Sequence, residues 1–169
     1  QLFRDNQILD EDGDGKGEFG LLGELSGNIP LRSSPMKLEP PLLEIESTQL
    51  NGACWQSNGY IFRVDLPGTD GLLASQSVTN TQVSADGAEK KYIAYAWPGK
   101  FGSTGRRSFF VDETGQVFAS DNVGTQQRYS GTAKQPKADA GLARPTLKTA
   151  AEIGTYRSAR DGSLWERLQ

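Results

Sequence analysis

Five of the nine residues from Asp10 to Glu18 are acidic, in the order Asp10-Glu11-Asp12-Gly13-Asp14-Gly15-Lys16-Gly17-Glu18. Carboxylates packed this closely repel one another unless something neutralises them. A hard divalent ion such as calcium takes about six to eight oxygens, and Asp at alternate positions with Gly at the sixth lets one tight loop supply several of them. On that spacing Asp10, Asp12 and Asp14 are side-chain ligands, Lys16 offers its carbonyl, and Glu18 acts directly or through water. The twelfth position is Leu21 where a full loop of this kind carries a bidentate Glu, so such a site needs a substitute such as Glu24. Without an ion, the same residues form a solvated acidic turn.

Other chemistry is sparsely provided for. The chain has no His, which removes the commonest general base, the usual catalytic zinc ligand and the His-based triads together. No Ser stands in a Gly-x-Ser-x-Gly elbow, and the Gly-rich stretch from Gly99 to Gly105 lacks the spacing of a phosphate loop. Carboxylate-pair hydrolysis or a Ser-Lys dyad is what remains, and the expectation is a protein that is not an enzyme. Trp55, Tyr95 and Trp97 read as core aromatics on alternating strand positions, or as a sugar-binding platform. Cys54 is the single cysteine, so it makes no internal disulfide and is expected in the core.

Charge is unevenly spread although it sums to −3. Up to Ser26 the chain is a local anion, and beyond Val123 cations prevail, from Arg128 and Lys134 to Arg160 and Arg167. These cations are thinly spread among Ser, Thr, Ala and Pro, which argues against nucleic acid as a partner. Arg106-Arg107 is set either to pair with acids of a neighbouring subunit or to keep a strand entry solvated. No stretch approaches the roughly 18 continuous apolar residues of a membrane span.

The elements that must carry these residues follow from periodicity. Leu2, Phe3, Asn6 and Leu9 lie at helical spacing with no capping residue ahead of them, predicting the end of a helix that continues upstream. The Gly-rich loop from Asp10 to Gly17 stops it, and Phe19 to Leu25 predicts one or two helical turns ended by Gly27 and Pro30. Ile29 to Gln56 reads as an irregular covering connection pinned by Leu42, Leu43 and Ile45. Tyr60 to Leu66 alternates with the period of a half-buried strand, and Lys91 to Trp97 is a second strand. Thr69 to Lys90 between them reads as a long polar loop. Phe109-Phe110-Val111 and Val117-Phe118-Ala119 flank a turn in which Gly115 takes the left-handed position. After Asn122 order fades: residues 124–146 read as a mobile or peripherally docked arm, Thr149 to Ile153 as a short helix, and Leu164, Trp165 and Leu168 as an anchor. The expected fold class is α+β, with a helix end packed on an antiparallel β-meander and a long irregular C-terminal arm.

Taken in order, the helix end, the Asp10-x-Asp12-Gly13-Asp14-Gly15 loop, Gly59-Tyr60-x-Phe62, Tyr95-Ala96-Trp97-Pro98 and Ser108-Phe109-Phe110-Val111-Asp112-Glu113-Thr114-Gly115 form a pattern. From Leu2 to Asn122 the chain resembles type IV pilins and type II secretion pseudopilins, in particular the pilin-like proteins of planctomycete-type bacteria. The resemblance implies residues 1–123 as a pilin-like soluble domain and 124–169 as an extension packed on it or tethered to it. It implies a structural, non-catalytic subunit of a cell-envelope filament, on the periplasmic or extracellular side. Its partners would be other pilin-like subunits, and the inner membrane would be reached through an N-terminal helix. Some secretion pseudopilins hold a structural calcium. A prepilin cleavage motif and the apolar half of that helix are not in this sequence. The readings set against it are a secreted calcium-dependent binding or adhesion module and a carboxylate-based hydrolase.

Overall fold

The computed structural model describes residues 1–43, 48–51, 53–69, 73–75, 83–123, 128–142 and 159–168. These residues are mostly β. The strands are β1 (Thr48–Asn51), β2 (Cys54–Ser57), β3 (Tyr60–Pro67), β4 (Leu73–Ser75), β5 (Ile93–Pro98), β6 (Ser108–Asp112), β7 (Val117–Ser120) and β8 (Glu166–Arg167). Among the described residues helix is confined to three single turns, α1 (Leu2–Asp5), α2 (Leu22–Leu25) and α3 (Ala85–Ala88). All eight strands form one sheet in the order β1-β2-β3-β5-β6-β7-β8, every pair antiparallel, with β4 also pairing β3. β2 covers the Tyr60 end of β3 and β4 the Pro67 end, so one long strand is flanked on the same edge by two short ones.

The predicted strands at β3, β5, β6 and β7 stand, and Gly115 has φ 75° in the β6–β7 turn as expected. Three expectations are corrected. The connection from Ile29 to Gln56 contains β1 and β2, because Asn58 and Gly59 both take positive φ, 48° and 79°, and fold β2 back on β3 as a two-residue hairpin. The stretch from Thr69 to Lys90 holds β4 and α3 in its described parts. Of the proposed terminal anchor only Trp165 is buried, while Leu164 and Leu168 are exposed. Ile45, the predicted helix from Thr149 to Ile153, and residues 124–127 and 143–146 of the predicted arm lie outside the described residues.

The sheet is packed on both faces. On one, Ile61 of β3, Ile93, Tyr95 and Trp97 of β5, Phe110 of β6 and Phe118 of β7 meet Tyr129, Ala140, Leu142, Ala159 and Trp165. On the other, Val64 and Leu66 of β3 meet Phe19, Leu21, Val83 and Ala88. A two-residue period thus feeds two cores, each large buried side chain contributing roughly 1.5–3 kcal/mol.

Residues 128–142 dock through the polar ends of core aromatics. Trp97 Nε1 donates to Gly131 O at 2.9 Å, and the Tyr95 hydroxyl donates to Ala138 O and accepts from Gly141 N. Asn122 brackets Tyr129 from both sides, accepting from its N–H and donating to its carbonyl. Tyr95, Trp97 and Trp55 are buried, so they are core and form no surface platform.

Candidate functional site

The acidic loop is drawn tight by its own first carboxylate. Asp10 Oδ1 accepts from Gly13 N at 2.9 Å and Oδ2 from Gly15 N at 3.0 Å, while Asp12 Oδ1 accepts from Asp14 N. Gly13 and Gly15 take φ of 74° and 84°, which residues with a Cβ rarely adopt. Gln7 Nε2, in the turn after α1, closes the loop by donating to Gly15 O at 2.7 Å. Asp10, Asp12 and Asp14 come together with carboxylate oxygens within 4.8 Å of one another. Lys16 lies against them, its backbone N–H and its ammonium both donating to Asp14. That contact lowers the Asp14 pKa and raises that of Lys16.

Glu18 and Glu24 go elsewhere. Both are buried and face Arg32, whose guanidinium is fully buried between them, Nη2 at 3.2 Å from Glu18 and Nε at 3.3 Å from Glu24. Glu24 also accepts from the backbone N–H of Leu21 and of Arg32, clamping the start of α2. Glu18 Oε1 accepts from Glu11 N at 2.7 Å and so clasps the loop from behind. Burial pushes the Glu18 pKa up, against the lowering effects of the Glu11 N–H and Arg32. Glu24 is therefore a structural carboxylate and no stand-in for a twelfth-position ligand.

What the tertiary structure adds to the loop comes from α3. Asp86 and Glu89 reach Asp12, and one carboxylate oxygen from each of the three lies within 4.8 Å of the others. The signal for this element was Ser84, whose hydroxyl accepts from Gly87 N at 3.1 Å as an N-cap with Asp86 in the first turn. Phe19 N donates to Ala88 O at 2.8 Å, which binds the segment after the acidic loop to α3.

A second charged region lies at the opposite end of β5. Arg106, Arg107 and Arg128, with Phe101, Asp121 and Val123, line a surface hollow of about 400 Å³. Arg128 sits over the Phe101 ring at 5.4 Å and Arg107 over Phe109 at 5.7 Å. Asp121 is 4.0 Å from Arg107, a loose and exposed ion pair. Among the described residues no helix is long and apolar enough to cross a membrane.

The chain matches no protein-family model, no curated protein and no solved structure.

Proposed function

We propose that the chain is a structural subunit of a cell-envelope filament, a type IV pilus or a secretion pseudopilus, acting through its surfaces and not through a catalytic centre. The resemblance of its sequence pattern to that of pilin-like proteins is the first support. The observation that carries the reading furthest is the separation of charge along β5. Asp10, Glu11, Asp12, Asp14, Asp86 and Glu89 gather at its Ile93 end against Lys16 and Lys90, beside the internally neutral pairs Arg4–Asp5 and Lys91–Glu113, while Lys100, Arg106, Arg107 and Arg128 gather beyond Pro98 against Asp121 and Glu166. The two ends are one six-residue strand apart, about 20 Å.

Poles of opposite sign on one chain favour head-to-tail contacts between copies, and a heterologous contact that does not close into a ring generates a filament. In this proposal an apolar helix upstream of Leu2 anchors the subunit in the inner membrane. α1 is then the end of that helix, seated by Phe3 beside Gly20 and by Arg4 over the Phe19 ring at 4.8 Å. The subunit's partners are other pilin-like subunits, and the sheet domain is displayed on the periplasmic or extracellular side.

The test uses the full-length gene. Expressed in its own host, the wild-type product is expected in sheared surface filaments seen by electron microscopy. Arg106→Glu with Arg107→Glu should remove them while the isolated domain keeps its circular dichroism spectrum and melting temperature. A full-length product with no apolar anchor, monomeric at high concentration, would overturn the proposal. The hollow at Phe101 favours one other reading, a secreted calcium-dependent adhesion module whose three guanidinium groups take an anionic ligand. In that case the same double substitution abolishes ligand binding and leaves no assembly to lose.

A further inference from the structure

Glu89 is a carboxylate kept from water with no hydrogen bond among the described residues to replace its hydration. Its side chain is 4% exposed, and among the described residues neither Oε1 nor Oε2 has a hydrogen-bond partner. Glu24 shows how this fold treats a buried structural carboxylate, with two backbone N–H groups and a guanidinium around it. Among the described residues Glu89 has only the Lys16 ammonium at 3.7 Å, on a side chain that is 62% exposed and already engaged with Asp14. One of its oxygens lies within 4.8 Å of oxygens of two more anions, Asp12 and Asp86, the latter in a loose, exposed pair with Lys90 at 3.9 Å. A bare buried carboxylate directed at two others is unfavourable by desolvation and by repulsion alike, unless a cation stands between them.

We infer that Asp12, Asp86 and Glu89 bind a divalent cation of the calcium type, with Asp10 and Asp14 as further donors from the loop. Asp12 is common to both acidic groups, Asp10-Asp12-Asp14 and Asp12-Asp86-Glu89, which places the loop carboxylates next to those of α3. Carboxylates alone, without His or thiolate, select a hard ion, and the larger, more adaptable coordination sphere of calcium suits donors from two separate segments better than magnesium does. The cation ties the acidic loop to α3 and through it to β3, since Ser84 N donates to Pro67 O. Lys16 is then a placeholder whose ammonium leaves Glu89 when the ion arrives. The site stands on these residues whether or not the chain assembles into filaments.

The test is calorimetric titration of the 169-residue protein with calcium chloride and with magnesium chloride, alongside thermal melts in calcium and in chelator. Calcium at 100-fold over its Kd is expected to raise the melting temperature by roughly 5 °C or more. Glu89→Gln should cut calcium affinity at least about tenfold, abolish the calcium-dependent rise and leave the chelator melting temperature unchanged or higher, because it removes a buried charge. Glu11→Gln removes one carboxylate charge from the acidic loop itself, but Glu11 accepts from Ser33 Oγ at 2.7 Å, so this variant should bind like the wild type. Lys16→Ala should tighten binding. Any of three results overturns the inference: no heat and no stabilisation at millimolar calcium, Glu89→Gln binding as tightly as the wild type, or Glu89→Gln and Lys16→Ala both lowering the chelator melting temperature. The last would make Glu89 and Lys16 a permanent ion pair. Assembly is not read in any of these measurements, so their failure leaves the filament proposal to its own test.

Discussion

Arg63 and Asp65, two residues apart on the same face of β3, form an ion pair at 2.9 Å with both side chains buried. Arg63 also donates to Gln135 Oε1 at 3.1 Å and lies 5.8 Å from the ring centres of Tyr95 and Trp97. One guanidinium therefore joins the central strand, the aromatic core and the chain segment that covers it. Asp65→Asn should cost about 3–5 kcal/mol in urea unfolding, because it leaves a buried cation short of its counter-charge. Replacing both residues with apolar side chains of similar size should cost much less. Equal losses from the single and double replacements would refute this account.

Arg32 answers two carboxylates instead of one. Arg32→Met should destabilise the fold by about 3–5 kcal/mol by leaving Glu18 and Glu24 buried without a cation. The Glu18 titration adds a pH signature. Its folded pKa is raised above the ordinary value of 4.5, so its contribution is fully present below that value and is lost as the pH rises through the folded pKa. Glu18→Gln should consequently compare more favourably with the wild type at pH 7 than at pH 4, as read from paired urea curves. A difference independent of pH would contradict the assignment.

Cys54 is buried on β2, and burial pushes its thiol pKa up from 9.0. The thiolate is the reactive form, so at pH 8 the native protein should resist a disulfide reagent that labels it fully in denaturant. Labelling at comparable rates in both states would mean that β2 opens readily.

Gly59 closes the β2–β3 hairpin at φ 79°, and a Cβ there would come within 2.9 Å of Thr104 Cβ. Gly59→Ala should cost about 1–2 kcal/mol from the left-handed backbone alone, with the Thr104 contact added to it. Gly115 has a similar φ but open space around it, so Gly115→Ala should be the milder of the two in thermal melts.

The contrast between Gly59 and Trp55 shows what a local pattern reveals. Asn58-Gly59 is a strong hairpin signal, yet β2 escapes a periodicity reading because Cys-Trp-Gln-Ser is too short to establish a period. β1 and β4 are shorter than or equal to β2 and depend on their neighbours for hydrogen bonds. Arg63 and Asp65 hide burial in the opposite way, since two charged residues at alternate positions imitate the solvent face of a strand. Trp165 reaches the core, whereas Leu164 and Leu168, equally apolar, do not.

The amino-acid sequence by itself determined the long alternating strands, the Gly115 turn and the grouping of Asp10, Asp12 and Asp14, because each rests on residues close enough along the chain to fix one another's geometry. Only the tertiary structure decided which acids share a neighbourhood. Glu18 and Glu24 lie near the loop in sequence but turn inward to Arg32, while Asp86 and Glu89 arrive from a distant segment to meet Asp12. The physical reason is that a carboxylate's surroundings are set by what packs across from it, and packing is decided by chain topology and not by sequence spacing.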